Sequence, residues 1–373
     1  MSMSHRERIE TAWNFKEPDR IPIEAVISPE AKEHPAAARV LELIEKEADN
    51  FGFVGIDFGG FFGFPVIREE KETIEERPGE FRRCRRTLET VAGTFSAITY
   101  HPEGESDYHW EKRFVSTLDD FRRLAETPLP ELFFDAEKWK KEEAAVGEEL
   151  CPMSPVRHPL GELVRNATME EVYVWLREER EIVHRFLEKS NDQVASLLEK
   201  VFAAGAGRYF AVCAHEMLLP PWMGDELFDE FVFPYDKRVN DVIHAHGGKL
   251  RAHCHGNCMN FLEKMADMGI DAIEPLERPP AGNVDLAEAK RRVGDRMMLC
   301  GNIPSERFLF ASPSEVREQV REAVRAAASG GGFALRTSGG YMGTEMNLND
   351  EVMRRIFSNV EAYILAGLEF GRY

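Results

Sequence analysis

The sequence predicts an α/β fold: a (β/α)8 TIM barrel with an irregular N-terminal half and an added hairpin, built as one domain over residues 1–373. Three observations predict it. The second half alternates short apolar runs with amphipathic stretches, the pattern of parallel strands joined by outer helices. The chain is long for one domain, but no repeat, composition shift or low-complexity linker divides it, and barrels reach such lengths as single units. Histidine, glutamate and glycine collect where the predicted strands end, which is the active rim of a parallel barrel.

Taken in order, the opening MSMSHRERIETAW reads as a helix ending near Phe15, and residues 21–26 read as the first strand. Residues 52–65 are rich in Gly and Phe and are expected to cover a pocket or form a mobile loop. Residues 87–100 read as the added hairpin, with Gly93 in its turn. Residues 151–156 are the second or third barrel strand, and 171–203 supply one or two long helices. Strands at 209–214, 249–254, 272–276, 297–300 and 333–337 then alternate with helices near 225–245, 258–268, 286–293 and 313–328. Ser312 before Pro313, with Glu315 following, marks a helix start. Gly269 and Gly247-Gly248 mark helix stops.

Composition narrows the function. The net charge of −19 repels phosphate backbones and argues against a nucleic-acid partner. No run of about 18 apolar residues is present, so no membrane span is expected. The N-terminus lacks an apolar signal region, and the chain reads as cytoplasmic. The six cysteines are scattered without a CxxC pair, and read as thiols rather than a disulfide framework.

The sharpest local signal is Arg251-Ala252-His253-Cys254-His255-Gly256-Asn257. Strand alternation puts His253 and His255 on one face and Cys254 on the other. Two imidazoles on one side of the rim can bind a single metal, or can be hydrogen-bonded groups in a polar pocket. Glu277 follows His255 by one βα unit and can join them as the third ligand of an open, catalytic type of site. Alternatively, Glu274 or Glu277 pairs with Arg251, Arg278 or Arg296. His215 and Glu216 end another rim strand, where either is a general acid, a general base or a substrate contact, or else a cap or turn residue. Asp57 is a further rim candidate. The loop Ser338-Gly339-Gly340-Tyr341-Met342-Gly343 can approach a ligand closely but lacks a dinucleotide fingerprint. Arg82-Arg83 and Arg85-Arg86 face solvent or form an acid-binding patch.

Several segments together resemble uroporphyrinogen decarboxylase-like proteins. They are Arg6-Glu7-Arg8-Ile9, Glu17-Pro18-Asp19-Arg20-Ile21-Pro22, FDEFVFPY ending at Tyr235, His253 to Asn257, Gly269-Ile270-Asp271-Ala272 with Glu277, and Leu299-Cys300-Gly301-Asn302-Ile303. The resemblance runs from about residue 5 to residue 368 and implies a (β/α)8 barrel. It also implies one of two chemistries: metal-free decarboxylation of porphyrinogen acetates, or zinc-dependent methyl transfer involving corrinoids. The decarboxylases carry an Arg-Gln-Ala-Gly-Arg stretch soon after the first strand. Here Ile23-Glu24-Ala25-Val26-Ile27-Ser28 stands in that region without an arginine.

The resemblance to the zinc methyltransferases further implies a ligand set. Their His-x-Cys pair falls on His253 and His255, a Glu found in a more distant relative falls on Glu277, and their last Cys falls near Ser338. Two thiolate positions are thus replaced, with Ser338 or water in the fourth place. Thiolates lower a metal's Lewis acidity, so a His-His-Glu site leaves an ion better suited to polarising oxygen. The expected activity is methyl transfer from a small O- or N-methyl donor to (or from) a corrinoid on a partner protein, with zinc as cofactor. A decarboxylase-type lyase and a non-catalytic metal- or ligand-binding barrel are the alternatives.

Overall fold

The computed structural model describes residues 3–104, 107–339 and 348–373. Among the described residues, eleven strands form two sheets. They are β1 (Phe51–Phe53), β2 (Arg68–Arg77), β3 (Phe81–Thr90), β4 (Gly93–Pro102), β5 (His109–Lys112), β6 (Cys151–Pro155), β7 (Tyr209–Cys213), β8 (Lys249–Cys254), β9 (Ala272–Pro275), β10 (Met298–Ile303) and β11 (Phe333–Thr337). One sheet is parallel and seven-stranded, in the order β1-β6-β7-β8-β9-β10-β11. Helices separate its strands, so most strand residues from β6 to β11 are buried. No helix of the described residues is long and apolar enough to cross a membrane.

The first strand expected at 21–26 is not a regular strand. It makes a single parallel bridge, from Ile23 to Leu335 of β11. Its contacts nevertheless reach both edges of the parallel sheet. Leu335 N–H donates to Pro22 O at 2.8 Å and Glu24 N–H to Leu335 O at 2.9 Å. On the other side Asp49 N–H donates to Ile23 O at 2.7 Å, and the Asn50 side chain pairs with the Ala25 backbone at 3.0 and 2.9 Å. Pro22 has no N–H to give to a ladder, and on the β1 side the Asn50 amide takes the place of a backbone partner.

The expected hairpin is half of a larger unit. β2 to β5 form an antiparallel sheet of four strands in sequence order. β2, REEKETIEER, is exposed almost throughout, so it shows no alternation of apolar and polar residues to read. Its glutamates pair with the arginine run: Arg83 with Glu75, Arg85 with Glu72 and Arg86 with Glu69. Residues 52–65 are pinned. Phe61, Phe62 and Phe64 are buried, and Phe61 packs on Phe95 of β4 and on Phe114. Glu162 accepts from Phe62 N–H at 2.7 Å, and Gln193 donates to Gly63 O at 3.0 Å. Gly63 has φ +81°, and a Cβ there would lie 2.1 Å from Gln193 Oε1, so only glycine fits.

The floor of the parallel sheet is closed by the first helix, α1 (His5–Trp13), which starts on a Ser4–Glu7 capping box. Ile9, Ala12 and Trp13 pack with Cys151, Met153, Tyr209, Ala272, Met298, Cys300 and Ala334, one buried residue or more from each of β6, β7, β9, β10 and β11. Trp13 stacks on Tyr209 with ring centroids 4.8 Å apart. A buried ion-pair cluster clamps α1 there. Asp49 lies 2.6 Å from both Arg8 and Arg20 and 2.9 Å from His5, and accepts from Ile23 N–H at 2.8 Å. Burial alone would raise the Asp49 carboxyl, but the His5 hydrogen bond and the Arg20 and Arg8 charges outweigh it and hold it below its ordinary 3.8. Asp19, bonded to Arg8, is held at about 2.

Asp49→Asn leaves two buried guanidinium groups without their carboxylate. It is expected to cost about 3–5 kcal/mol in urea denaturation at neutral pH. Because the folded-state value is depressed, the carboxylate's contribution is complete above the unfolded value of 3.8 and fades as pH falls toward the folded one. The stability gap between wild type and variant should therefore narrow below about pH 4. A gap that stays constant down to pH 2.5 would show that the charge does not hold α1 in place.

Candidate active site

Strand register assembles the candidate site. β7, β8 and β9 run parallel with Cys213 opposite His253 and His253 opposite Glu274. Alternation along β8 puts Arg251 and His253 on one face, while Cys254 lies on the other, buried in the outer core. His255 lies one residue beyond the strand. His253 and His255 are about one-third exposed, and their rings meet edge to face with centroids 4.5 Å apart.

Each imidazole is backed by a carboxylate. His253 Nδ1 lies 2.9 Å from Glu274 Oε1, and His255 Nδ1 lies 3.0 Å from Glu277 Oε1. Glu277 Oε2 accepts the Gly256 N–H at 2.7 Å, so both oxygens of Glu277 are engaged. The Glu277 hydrogen bond raises the pKa of His255 against the opposing effect of burial. Burial would raise the Glu277 carboxyl, but His255 and the Gly256 N–H outweigh it and hold it low. Among the described residues neither Nε2 has a hydrogen-bond partner. An imidazole that points one nitrogen at a carboxylate and leaves the other open is the usual arrangement of a metal-binding histidine. The donor chemistry therefore fits a zinc-like ion at the two Nε2 atoms, with Glu277 placed behind His255 rather than as a direct ligand.

Beneath the histidines lies a charged layer. Glu24 lies 2.8 Å from Arg251 and also pairs with Arg336. Arg336 Nε lies 2.8 Å from Glu274 Oε2, an ion pair by distance without hydrogen-bond alignment. Burial raises the Glu274 carboxyl, yet Arg336, His253 and Arg251 together drive it far below the ordinary carboxylate range. Two arginines thus face two glutamates. The hollow beside them, about 270 Å³, is lined by Glu24, Phe51, Phe53, Arg251, Arg336 and Thr337, among others.

The other expected site residues are placed differently. His215 is fully buried (0% exposed), with Nε2 2.9 Å from Asp236 Oδ2. Asp236, from the helix Phe233–Ala245, also meets His158 Nε2 at 2.9 Å. Among the described residues this is the one His/Cys/Asp/Glu trio whose donor atoms all come within 4.8 Å, close enough for one metal ion. The protonation pattern is that of a hydrogen-bond network, however. His158 Nδ1 accepts the Gly161 N–H at 2.9 Å, so its proton sits on Nε2 and points at Asp236. Asp57 is exposed and caps its own turn, accepting from Gly59 N–H at 2.9 Å. It lines a groove with Phe133, Lys138 and Trp139, and that groove shares no residue with the hollow at Glu24. Ser338 is buried, and its N–H donates to Ile303 O at 2.7 Å; no hydrogen bond links it to His253, His255 or Glu277 among the described residues. Of the loop that follows, residues 340–343 lie outside the described residues.

Sequence reasoning missed His158 and Asp236, and weighed Glu274 only as an arginine partner. The available signal for Glu274 was its position three residues before Glu277 on the strand next to His253.

Comparison with known proteins agrees with this geometry at the level of family and fold. Residues 161–356 match the uroporphyrinogen decarboxylase (URO-D) family. The uroporphyrinogen decarboxylase of Shewanella loihica is 26% identical over 269 residues, covering 70% of this chain and 66% of that protein. The one from Microcystis aeruginosa is 28% identical over 172 residues, covering 44% and 45%. The chain therefore spans less than two thirds of the length of these relatives. Among solved structures, a methyltransferase from Methanosarcina mazei superposes over 99% of both chains with a TM-score of 0.60 at 15% identity, a likeness of fold. Since the family match takes in more than half of the residues, including β7 to β11 and the carboxylate-backed histidines, the chain belongs to the uroporphyrinogen decarboxylase (URO-D) family.

Proposed function

We propose that this chain is a metal-dependent methyltransferase, a single closed (β/α)8 barrel in which residues 21–25 take the eighth strand position. It moves a methyl group from a small O- or N-methyl donor to (or from) a corrinoid carried by a partner protein. The observation that carries this reading is the pair of carboxylate-backed imidazoles, Glu274–His253 and Glu277–His255, with their Nε2 atoms open at the end of β8. A bound zinc ion would supply Lewis acidity, polarising the methyl-bearing oxygen or nitrogen of the donor. His253 and His255 would hold the ion, and Glu274 and Glu277 would fix the ring tautomers. Asp57 lies apart from this group and is assigned no role in the chemistry. His215 is assigned a positioning role through Asp236, and Ser338 or water remains the candidate for the outermost ligand place. Six unpaired cysteines support a reducing, cytoplasmic location.

The second reading is a uroporphyrinogen decarboxylase-type lyase, favoured by the names of the sequence relatives. Against it stands the charged layer: Arg251 and Arg336 are both paired with glutamates, so neither offers an uncommitted charge to a substrate carboxylate. A non-catalytic binding barrel is the third reading, and metal bound without turnover would support it.

Two measurements test the proposal. In elemental analysis of metal-loaded protein, His253→Ala and His255→Ala should each lose the ion, with affinity falling by about 100-fold or more, while circular dichroism and thermal midpoint stay near wild type. Cys254→Ser should retain it; an ion lost from Cys254→Ser but kept in His255→Ala would reverse the ligand assignment. In the second, protein is mixed with cob(I)alamin and a panel of methoxy and N-methyl compounds, and methylcobalamin is followed by absorbance. Carbon dioxide release from uroporphyrinogen at a useful rate, with no methyl transfer from any donor, would establish the lyase instead.

A further inference from the structure

Three carboxylates stand around His253 and His255, and they differ in what they already hold. Glu274 faces His253 and Arg336. Glu277 has both oxygens engaged, by His255 and by the Gly256 N–H. Glu216 is the exception. Its Oε2 is buried and has no hydrogen-bond partner, and its nearest cation is Arg165, 4.0 Å away and half exposed. A buried carboxylate oxygen without a partner is costly and calls for a missing donor or cation.

The register brings the end of β7, three residues before Glu216, beside His253. Cys213, the last residue of β7, is opposite His253; the chain then turns at Ala214 (φ +93°), with Glu216 three residues past Cys213 and His255 two past His253. The turn His215–Leu218 packs against β8, and the negative charge of Glu216 acts on both His255 and Cys254. Charge balance points the same way. The layer below is neutral, with Arg251 and Arg336 against Glu24 and Glu274. Above it stand two carboxylates, Glu216 and Glu277; among the described residues Glu277 pairs with no arginine or lysine, and Glu216 meets only Arg165, at 4.0 Å. Two negative charges and two open imidazole nitrogens match one divalent cation.

We infer that Glu216 is the carboxylate that completes the His253–His255 metal site, and that Glu277 is a positioning residue holding His255 from behind. This rests on the metal-dependent reading above. The donor atoms of His253, His255 and Glu216 are not all within 4.8 Å of one another, so the Glu216 side chain turns toward the ion when it binds. Arg165 holds it too loosely to prevent this.

The test is titration of metal-free full-length protein with Co2+, followed by visible d–d absorption and by calorimetry, on wild type and on the variants Glu216→Ala, Glu277→Gln and His253→Ala, with circular dichroism confirming the fold of each. Wild type should bind one equivalent that His253→Ala abolishes. Glu216→Ala should weaken binding by about 100-fold and shift the cobalt spectrum, whereas Glu277→Gln should keep one equivalent with affinity lowered by about 10–100-fold and a near wild-type spectrum. If wild type binds no cobalt, or binds it equally well without His253, the metal-dependent reading itself fails. If wild type and His253→Ala behave as stated but Glu216→Ala matches wild type in affinity and spectrum, only the role of Glu216 is overturned. Complete loss of cobalt in Glu277→Gln would make Glu277 the ligand.

Discussion

Two arginines inside a barrel-like sheet constrain everything placed above them. Moving a guanidinium out of water costs several kcal/mol unless a carboxylate is fixed beside it. Arg251 and Arg336 enter from strands three apart in the sheet, and Glu24 and Glu274 neutralise them from the two sides. Glu274 also reaches His253, so the layer that balances buried charge sets the tautomer and tilt of the first histidine as well. The same pairing changes what the interior can recognise. An arginine locked to a glutamate is a hydrogen-bonding wall rather than an anion receptor, and the absence of an arginine from residues 23–28 is compounded by the engagement of Arg251 and Arg336.

The parts of the site legible in the sequence were those governed by strand parity and by the length of one βα unit. His253 and His255 fall at one parity at the end of β8, and Glu277 one unit on meets His255 directly. Parity failed where the backbone leaves the sheet. Ala214 takes φ +93° immediately after β7, so the alternation that would have put His215 at the rim is reset, and the side chain turns into the packing against Asp236. Glu277 was legible as a neighbour of the histidines but not as their support. Which oxygen is engaged depends on the Gly256 N–H, a backbone group that composition does not reveal.

For the fold, the strands β6 to β11 were readable because their burial between helices demands short, mainly apolar runs. The first strand and β2 were not, for opposite reasons. The segment at 21–25 looks like a strand, but Pro22 denies it a regular ladder and Asn50 substitutes a side chain for a backbone partner. β2 looks like a solvated charged segment, and forms a strand because its glutamates lie across from the arginines of β3. The phenylalanines at 61, 62 and 64, in a stretch read as a pocket cover or a mobile loop, fasten the antiparallel sheet to the rest of the molecule.

Trp13 stacked on Tyr209 covers one end of the parallel sheet, opposite the end where His253 and His255 stand. On the methyl-transfer proposal, a small donor and a corrinoid-bearing partner would both approach from the side where His253 and His255 stand. A partner broad enough to cover that side would trap whatever lies beneath it. On that proposal, a shared approach would impose an order: the small molecule loads first, the large one arrives second, and departure runs in reverse.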